Sequence, residues 1–379
     1  MHVVIAPDSF KGSLTAKEVA LNIQEVLGSV FPEASHTLLP FSDGGEGALT
    51  ILQQFTKGKM EICKTFDPLA RNIAAPYYLF DQGNAAWIEL SQSSGLTLLK
   101  TSECNPLLTS TYGTGILIRE ALRRGCKKIY LGIGGSATHD LGTGIFLALG
   151  GRLLNSNGDS IALGGGDLTR CSHIDRSGLD PALKSVQFTV ACDVSNPLLG
   201  PKGAARTYAP QKGAAAKVVE ELENNGRYFS ELMERQLGNK VSSIKGGGAA
   251  GGTAAGLVGL LNANLDSGFS ILSDLAKLEE KIKFADLVIT GEGHFDKQSR
   301  YGKAPFSIAK LALKHNIPTL IIAGKVSVSK DDFQNDKLGI YAVKPKKMLL
   351  KEALKKTPEL LRKTLTPILE NFKKNQRFN

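Results

Sequence analysis

Apolar positions along the first fifty-five residues follow two rhythms. Residues 3–6 form a short unbroken apolar run, which predicts a strand buried on both faces. Thr15 with Glu18 three places later is a capping box, and Val19, Ile23, Val26 and Leu27 then recur at helical spacing. A second strand is predicted at 38–41 and a helix at 47–55. The opening therefore reads as a β–α–β unit.

The rhythm then changes. Residues 60–66, 76–80 and 85–90 are short, β-rich and closely spaced, with no helix between them, so a second, antiparallel sheet begins there. Alternation of helix and strand resumes with a helix at 114–124, a strand at 128–133 and a helix through Leu149. Farther on come a strand at 185–192, a helix at 214–237 and a small-residue helix after Gly246–Gly252. Strand 287–290, helix 304–314 and strand 319–323 restore the β/α order. Leu361, Leu365, Ile368, Leu369 and Phe372 mark a last amphipathic helix, with a kink expected at Pro367.

The expected fold class is α/β with two domains. Residues 1–58, 98–150 and 264–379 form a Rossmann- or flavodoxin-like parallel-sheet domain. A mixed-sheet α/β domain, 59–97 and 151–263, interrupts it, and the active site is expected in the cleft between them. A length of 379 residues suits two cores, since single cores rarely exceed ~250–300 residues.

Five apolar runs stop in loops that combine glycine or a small hydroxyl residue with a carboxylate, at 5–13, 40–48, 132–142, 191–200 and 289–298. Loops at strand ends are where α/β proteins hold ligands. Ser9, Lys11 and Ser13 precede a helix start, a place that favours anions. Asp43 and Glu46 flank paired glycines and, with Glu292, are candidate Mg²⁺ ligands, because Mg²⁺ takes only one or two carboxylates beside phosphate and water.

Gly134, Gly135, Ser136 and Thr138 lie in a phosphate-type turn. It fits the dinucleotide fingerprint weakly, because no strand ending in Asp or Glu follows about twenty residues later. No Walker-type P-loop occurs, since residues 301–304 lack both its upstream glycine and its hydroxyl residue. Glu292, Asp296 and Lys303 make the densest cluster, with carboxylates and a cation of the kind phosphoryl transfer needs. His294 reads as a local filler. Asp193 and Asn196 close the strand at 185–192, Lys212 stands at a helix start, and Arg71 is a candidate carboxylate clamp. The glycine run at 246–256 suits a phosphate cradle and close helix packing equally.

Charge changes the picture little. The formal net charge is +10. Residues 344–379 hold 11 basic and 3 acidic residues, leaving 35 against 33 elsewhere. The basicity is thus assigned to a solvated C-terminal helix face, without nucleic-acid or membrane partners. Five scattered cysteines without a CxxC pair suit reduced thiols. No leader pattern precedes the first strand and no apolar run approaches the ~20 residues of a membrane span, so a cytoplasmic protein is expected.

With these residues in view, the chain closely resembles the bacterial glycerate kinases of the first family, often called glycerate 2-kinases. The resemblance runs through residues 6–20 (APDSFKGSLTAKEVA), SDGGEG at 42–47, TYGTG at 111–115 and IGGSAT at 133–138. It continues in DVSNPLLGPKGAA at 193–205, PQKGA at 210–214, TGEG at 290–293 and GKAP at 302–305. The chain departs from that pattern at Ala70, where the family has glycine, at His139, where it has asparagine, and at His294, where it has arginine.

The resemblance implies ATP-dependent phosphorylation of D-glycerate at the 2-hydroxyl, giving 2-phosphoglycerate, with Mg²⁺. On that reading Asp193, Asp296 and Lys11 are catalytic. Ser9, Arg71, Asn196 and Lys303 bind substrate, while Gly134, Gly135, Ser136, Thr138, Gly291 and Gly293 bind the nucleotide and its phosphates. Either a monomer or a homodimer is expected. The alternatives are phosphorylation at the 3-hydroxyl, a nicotinamide-dependent hydroxy-acid dehydrogenase and a non-catalytic sugar-acid or nucleotide-binding protein.

Overall fold

The first apolar run forms an interior strand of a parallel sheet. The computed structural model describes residues 1–41, 48–300, 303–328 and 335–376. In chain order the strands are β1 (His2–Ile5), β2 (Ser35–Leu38), β3 (Gly58–Phe66), β4 (Asn72–Phe80), β5 (Ala85–Glu89), β6 (Lys128–Gly132) and β7 (Arg152–Leu154). After them come β8 (His173–Asp175), β9 (Gln187–Ala191), β10 (Asn264–Asp266), β11 (Leu287–Phe295), β12 (Thr319–Val326) and β13 (Leu338–Ala342). The chain divides into two compact units, Met1–Asp43 with Phe269–Asn379, and Gly44–Gly268.

In the first unit the sheet order is β13-β12-β11-β1-β2, and every pair is parallel. Numbered within the unit, that is the 2-1-3-4-5 order of flavodoxin-like folds. Val3 faces Leu287 and Ile5 faces Ile289 across the β1–β11 ladder. Successive residues of a strand face opposite sides, and β12 shows the result. Leu320 and Ile322 join a core with the helix Ala16–Val30 and with Leu361, Leu365 and Leu369 of the C-terminal helix. Ile321 and Ala323 join Phe295 and Ala309 on the other face. Thr15 and Glu18 make the expected capping box at the start of Ala16–Val30. The last helix, Thr357–Gln376, continues through Pro367.

The second unit carries the mixed sheet, in the order β10-β9-β6-β5-β4-β3. β3, β4 and β5 are antiparallel as expected. β5–β6, β6–β9 and β9–β10 are parallel. Residues 98–150, expected in the parallel-sheet domain, lie in this second unit instead, as do 48–58 and 264–268. The reason is β6: it pairs with β5 and β9, so the helix–strand rhythm at 112–149 builds the parallel half of the mixed sheet. β7 and β8 form a separate antiparallel pair.

The glycine run beyond Gly246 resolves toward packing. A Cβ on Gly256, in the helix Thr253–Leu261, would come 1.6 Å from the Leu141 carbonyl oxygen, and one on Gly251 would come 2.2 Å from that of Thr138. Side chains there would drive this segment off the turn at 138–141.

Candidate functional site

In an open doubly wound sheet the ligand crevice lies at the carboxyl ends of the strands, where the strand order reverses. In the first unit that point falls between β1 and β11. A cavity of about 390 Å³ sits there, walled by the loop after β1 and the end of β11. The Asp8 amide donates to the Gly291 carbonyl at 2.8 Å, extending the β1–β11 pairing into the loop. Gly293 then lets β11 pass the loop closely, since a Cβ there would stand 3.1 Å from the Lys11 amide nitrogen.

Ser9, Lys11, Glu292, Gly293 and Lys303 all line this cavity. Glu292 is only 6% exposed. Its Oε2 accepts from Lys303 Nζ at 3.2 Å, while its Oε1 has no hydrogen-bond partner among the described residues. Burial pushes its carboxyl above the ordinary range, with Ser299 and Lys303 pulling the other way. His294 lines the same space and bonds through Nε2 to Ser327 Oγ at 2.8 Å. Asp296 lies just beyond, its Oδ1 accepting from the Ser299 amide at 3.1 Å. Gly291 stays within the sheet, where a Cβ would meet the Ile322 carbonyl oxygen at 2.0 Å.

Ser13 has a different part. Its hydroxyl donates to the Leu354 carbonyl at 2.7 Å and lies 2.6 Å from Thr357 Oγ1, so it fastens the loop to the C-terminal helices. Lys325 and Lys344 line the cavity too, beside Leu350, Leu354 and Leu360. Part of the basic C-terminal segment therefore faces a cavity, where the sequence suggested a purely solvated helix face. Lys325 had a signal, because it follows Gly324 near the end of β12, at the sheet edge that holds Glu292.

The second unit gathers the turn after β6. Gly135 has φ +69°, which favours glycine. Lys212, 1% exposed, donates from Nζ to Ser136 Oγ and to the Thr138 carbonyl, both at 2.7 Å. Burial pushes its pKa down to about 7, against the pull of the Asp140 charge. Asp140 accepts from the amides of Thr111, Gly142 and Gly144 and from the Thr111 hydroxyl. Burial raises the Asp140 carboxyl, and the Thr111, Gly144 and Gly142 bonds oppose that rise. Burial also pushes His139 down to about 3, so its ring is neutral. Thr138 Oγ1 and His139 Nδ1 are buried without partners.

Elsewhere in this unit the candidates are already engaged. Arg71, 48% exposed, binds Asp67 Oδ2 through Nε at 2.5 Å and Glu103 Oε1 through Nη1 at 2.7 Å. Asn196 donates to the Lys202 carbonyl and accepts from the Tyr208 hydroxyl, each at 2.8 Å. Asp193 accepts from the Gly268 amide at 3.0 Å. Asp43 and Glu46 lie outside the described residues. Among the described residues no group of three or more His, Cys, Asp or Glu is placed to hold a metal, and no helix is long and apolar enough to cross a membrane. All five cysteines are free.

Comparison with known proteins bears on the same segments. A "Glycerate kinase" of Halalkalibacterium halodurans is 43% identical over 360 residues, 95% of each chain. The "Glycerate 2-kinase" of Escherichia coli is 43% identical over 327 residues, 86% of each. A crystal structure from Salmonella typhimurium LT2, of a protein that carries the name glycerate kinase 2, superposes with a TM-score of 0.88 at 39% identity. That match covers 100% of this chain and 99% of the other. The profile of the glycerate kinase family matches residues 3–373, which takes in both the β1–β11 cavity and the turn held by Lys212, and the chain belongs to that family.

Proposed function

We propose that the protein transfers the γ-phosphoryl group of ATP to the 2-hydroxyl of D-glycerate, giving 2-phosphoglycerate and ADP, with Mg²⁺. The observation that carries this is the cavity at the strand-order reversal, where Lys11, Lys303, Lys325 and Lys344 line the same space as Glu292, whose buried Oε1 has no hydrogen-bond partner among the described residues. Family membership and the relatives named for glycerate phosphorylation support the substrate. Membership of the glycerate kinase family favours the kinase reading over the dehydrogenase and the non-catalytic ones.

The orphaned Glu292 Oε1 fits a single Mg²⁺ ion, which takes few protein ligands when phosphates share it. When bound, the ion supplies charge neutralisation on the phosphate oxygens. Lys303, with three donors, can keep Glu292 while giving a hydrogen bond to a phosphate oxygen. Lys11 brings a mobile cation from the opposite loop. In a loose phosphoryl transition state, such fixed charges do most of the stabilising.

The attacking hydroxyl needs a carboxylate to orient it, and Asp193 and Asp296 are the two candidates. Ser9, Arg71, Asn196 and Lys303 are proposed for glycerate. Recruitment of Arg71 requires it to loosen its pairing with Glu103. Gly291 and Gly293, with Gly134, Gly135, Ser136 and Thr138, are proposed as backbone contacts for phosphate. A cytoplasmic location is proposed, and the five free thiols support it.

The test is ADP release coupled to an optical readout, with D-glycerate, ATP and Mg²⁺. Glycerate-dependent turnover is expected, and its absence overturns the reading. Phosphorus NMR of the product separates the 2-phosphate from the 3-phosphate, and a 3-phosphate overturns the regiochemistry alone.

A further inference from the structure

We propose that the C-terminal helices form the base-binding wall of the phosphoryl donor's site, so that the cavity of the first unit takes a nucleoside triphosphate rather than the small acid alone. This rests on the kinase reading above and says where one of its two substrates lies.

The cavity has two chemically different sides. One carries Lys11, Glu292, Lys303 and Lys325. The other is mainly apolar, with Phe10, Val343, Ala353 and Leu360 in one buried cluster and with Leu350, Leu354 and Lys344 lining the same space. Ligand sites of ~300–1,000 Å³ usually combine a mainly apolar lining with a few placed polar groups, and about 390 Å³ falls within that range. Phosphoglycerate is polar throughout and gains nothing from a leucine wall. A nucleoside triphosphate matches both sides, with a flat ring that gains by leaving water and a polyanion that gains from cations.

Two further observations point to the same occupant. Leu350, which lines the cavity, is 64% exposed, an uncovered apolar lip on a space that contains charge. The Glu292 Oε1, nine-tenths buried and without a partner among the described residues, stands ready on the polar side. The two sides are also held in register. Ser13 ties the anion-side loop to the Leu354 carbonyl and to Thr357. Lys344 donates to the Met348 carbonyl at 2.6 Å and to the Pro345 carbonyl at 3.2 Å, fixing the turn that presents Leu349 and Leu350. Base and phosphates would thus meet one continuous body formed by the two ends of the chain.

The experiment compares the full-length wild type with Leu350→Ser and Leu354→Ser, which remove apolar surface without adding charge. Calorimetry gives Kd for ADP and for inorganic triphosphate, and steady-state kinetics give KM for ATP and for D-glycerate. Both variants should weaken ADP by roughly tenfold or more, a factor equal to 1.4 kcal/mol, while triphosphate binding and KM for D-glycerate stay within about twofold of the wild type. Leu350 is largely in solvent, so its variant reports even if Leu354→Ser misfolds. Unchanged ADP affinity in a folded Leu350→Ser and in any folded Leu354→Ser overturns this proposal and leaves the kinase reading standing. Equal losses for ADP and triphosphate also overturn it, because they place the effect on the phosphates. A wild type that binds ADP but never phosphorylates glycerate defeats the kinase reading instead.

Discussion

The ammonium of Lys212 donates to the hydroxyl of Ser136 at 2.7 Å from a position with almost no solvent exposure. A lysine seldom occupies such a place without a partner of opposite charge. Its second bond, to the Thr138 carbonyl, makes it the strut of the turn proposed to bind phosphate. With its folded pKa near 7 and an ordinary value of 10.5, the unfolded chain binds more protons than the folded one across that interval. Stability therefore rises with pH from about 7 toward 10.5 on this group's account. Urea midpoints at several pH values should show that rise in the wild type and its loss in Lys212→Met. Parallel curves for the two proteins would contradict it.

Asp140 is the acceptor on which the same turn closes. Asp140→Ala should destabilise the protein by about 3–5 kcal/mol, because it strands buried amides and leaves Lys212 without its nearby negative charge. Equilibrium denaturation measures this. A loss under about 1 kcal/mol would mean that water replaces the carboxylate easily.

Glu292→Gln keeps the shape of the side chain and removes the charge. Activity should fall roughly 10²-fold, and the Mg²⁺ concentration for half-maximal rate should rise. The thermal midpoint should stay close to that of the wild type, since burial already disfavours the ionised carboxylate. A Mg²⁺ titration of glycerate-dependent ADP release reads both quantities. An unchanged Mg²⁺ dependence would remove Glu292 from the metal site.

Asp193→Asn and Asp296→Asn distinguish the two candidates for orienting the hydroxyl. Each variant keeps a side-chain oxygen for its present backbone partner, Gly268 or Ser299. The positioning residue should lose roughly 10²-fold or more in kcat. A variant with unchanged kcat/KM is outside the mechanism.

Ser13→Ala breaks the tie between the first loop and the C-terminal helices. It should lower stability by about 1 kcal/mol and raise KM for ATP more than KM for glycerate. Equal changes in the two KM values would deny the loop a specific part in nucleotide binding.

What the sequence revealed, and what it hid, follows from the distance between interacting residues. Thr15 and Glu18 are three places apart, so their capping box was plain. The parallel strands announced themselves as apolar runs that alternate with helices. The same rhythm at 112–149 misled about the owner of β6, because pairing with β5 and β9 is non-local and either sheet accepts such a unit. Arg71 looked like a free clamp, and its partner Glu103 stands 32 residues away. The buried state of Lys212 had no local sign beyond its place before Gly213. Lys344 sits within a run of charge whose commonest meaning is solvated surface, and nothing in a linear reading says that β13 ends above a cavity. The glycine and acid loops marked Ser9, Lys11, Glu292, Gly293 and Lys303 because each of those strand ends carries its own signal.

The placement of β1 between β11 and β2 also sets an order of events on the ribosome. β1 leaves the exit tunnel before Gly44–Gly268 is made and waits through that stretch, with one edge unpaired until Leu287–Phe295 appears. The interrupting unit holds all its own strand partners and can close during that wait. The helix Ala16–Val30 stays incompletely covered for longer still, until Leu361, Leu365 and Leu369 have been made. An open strand edge on a nascent chain invites intermolecular pairing. The segment that supplies Ser9, Lys11 and Ser13 thus depends on residues made more than three hundred positions later, and loss of the last helix would uncover the apolar face of Ala16–Val30.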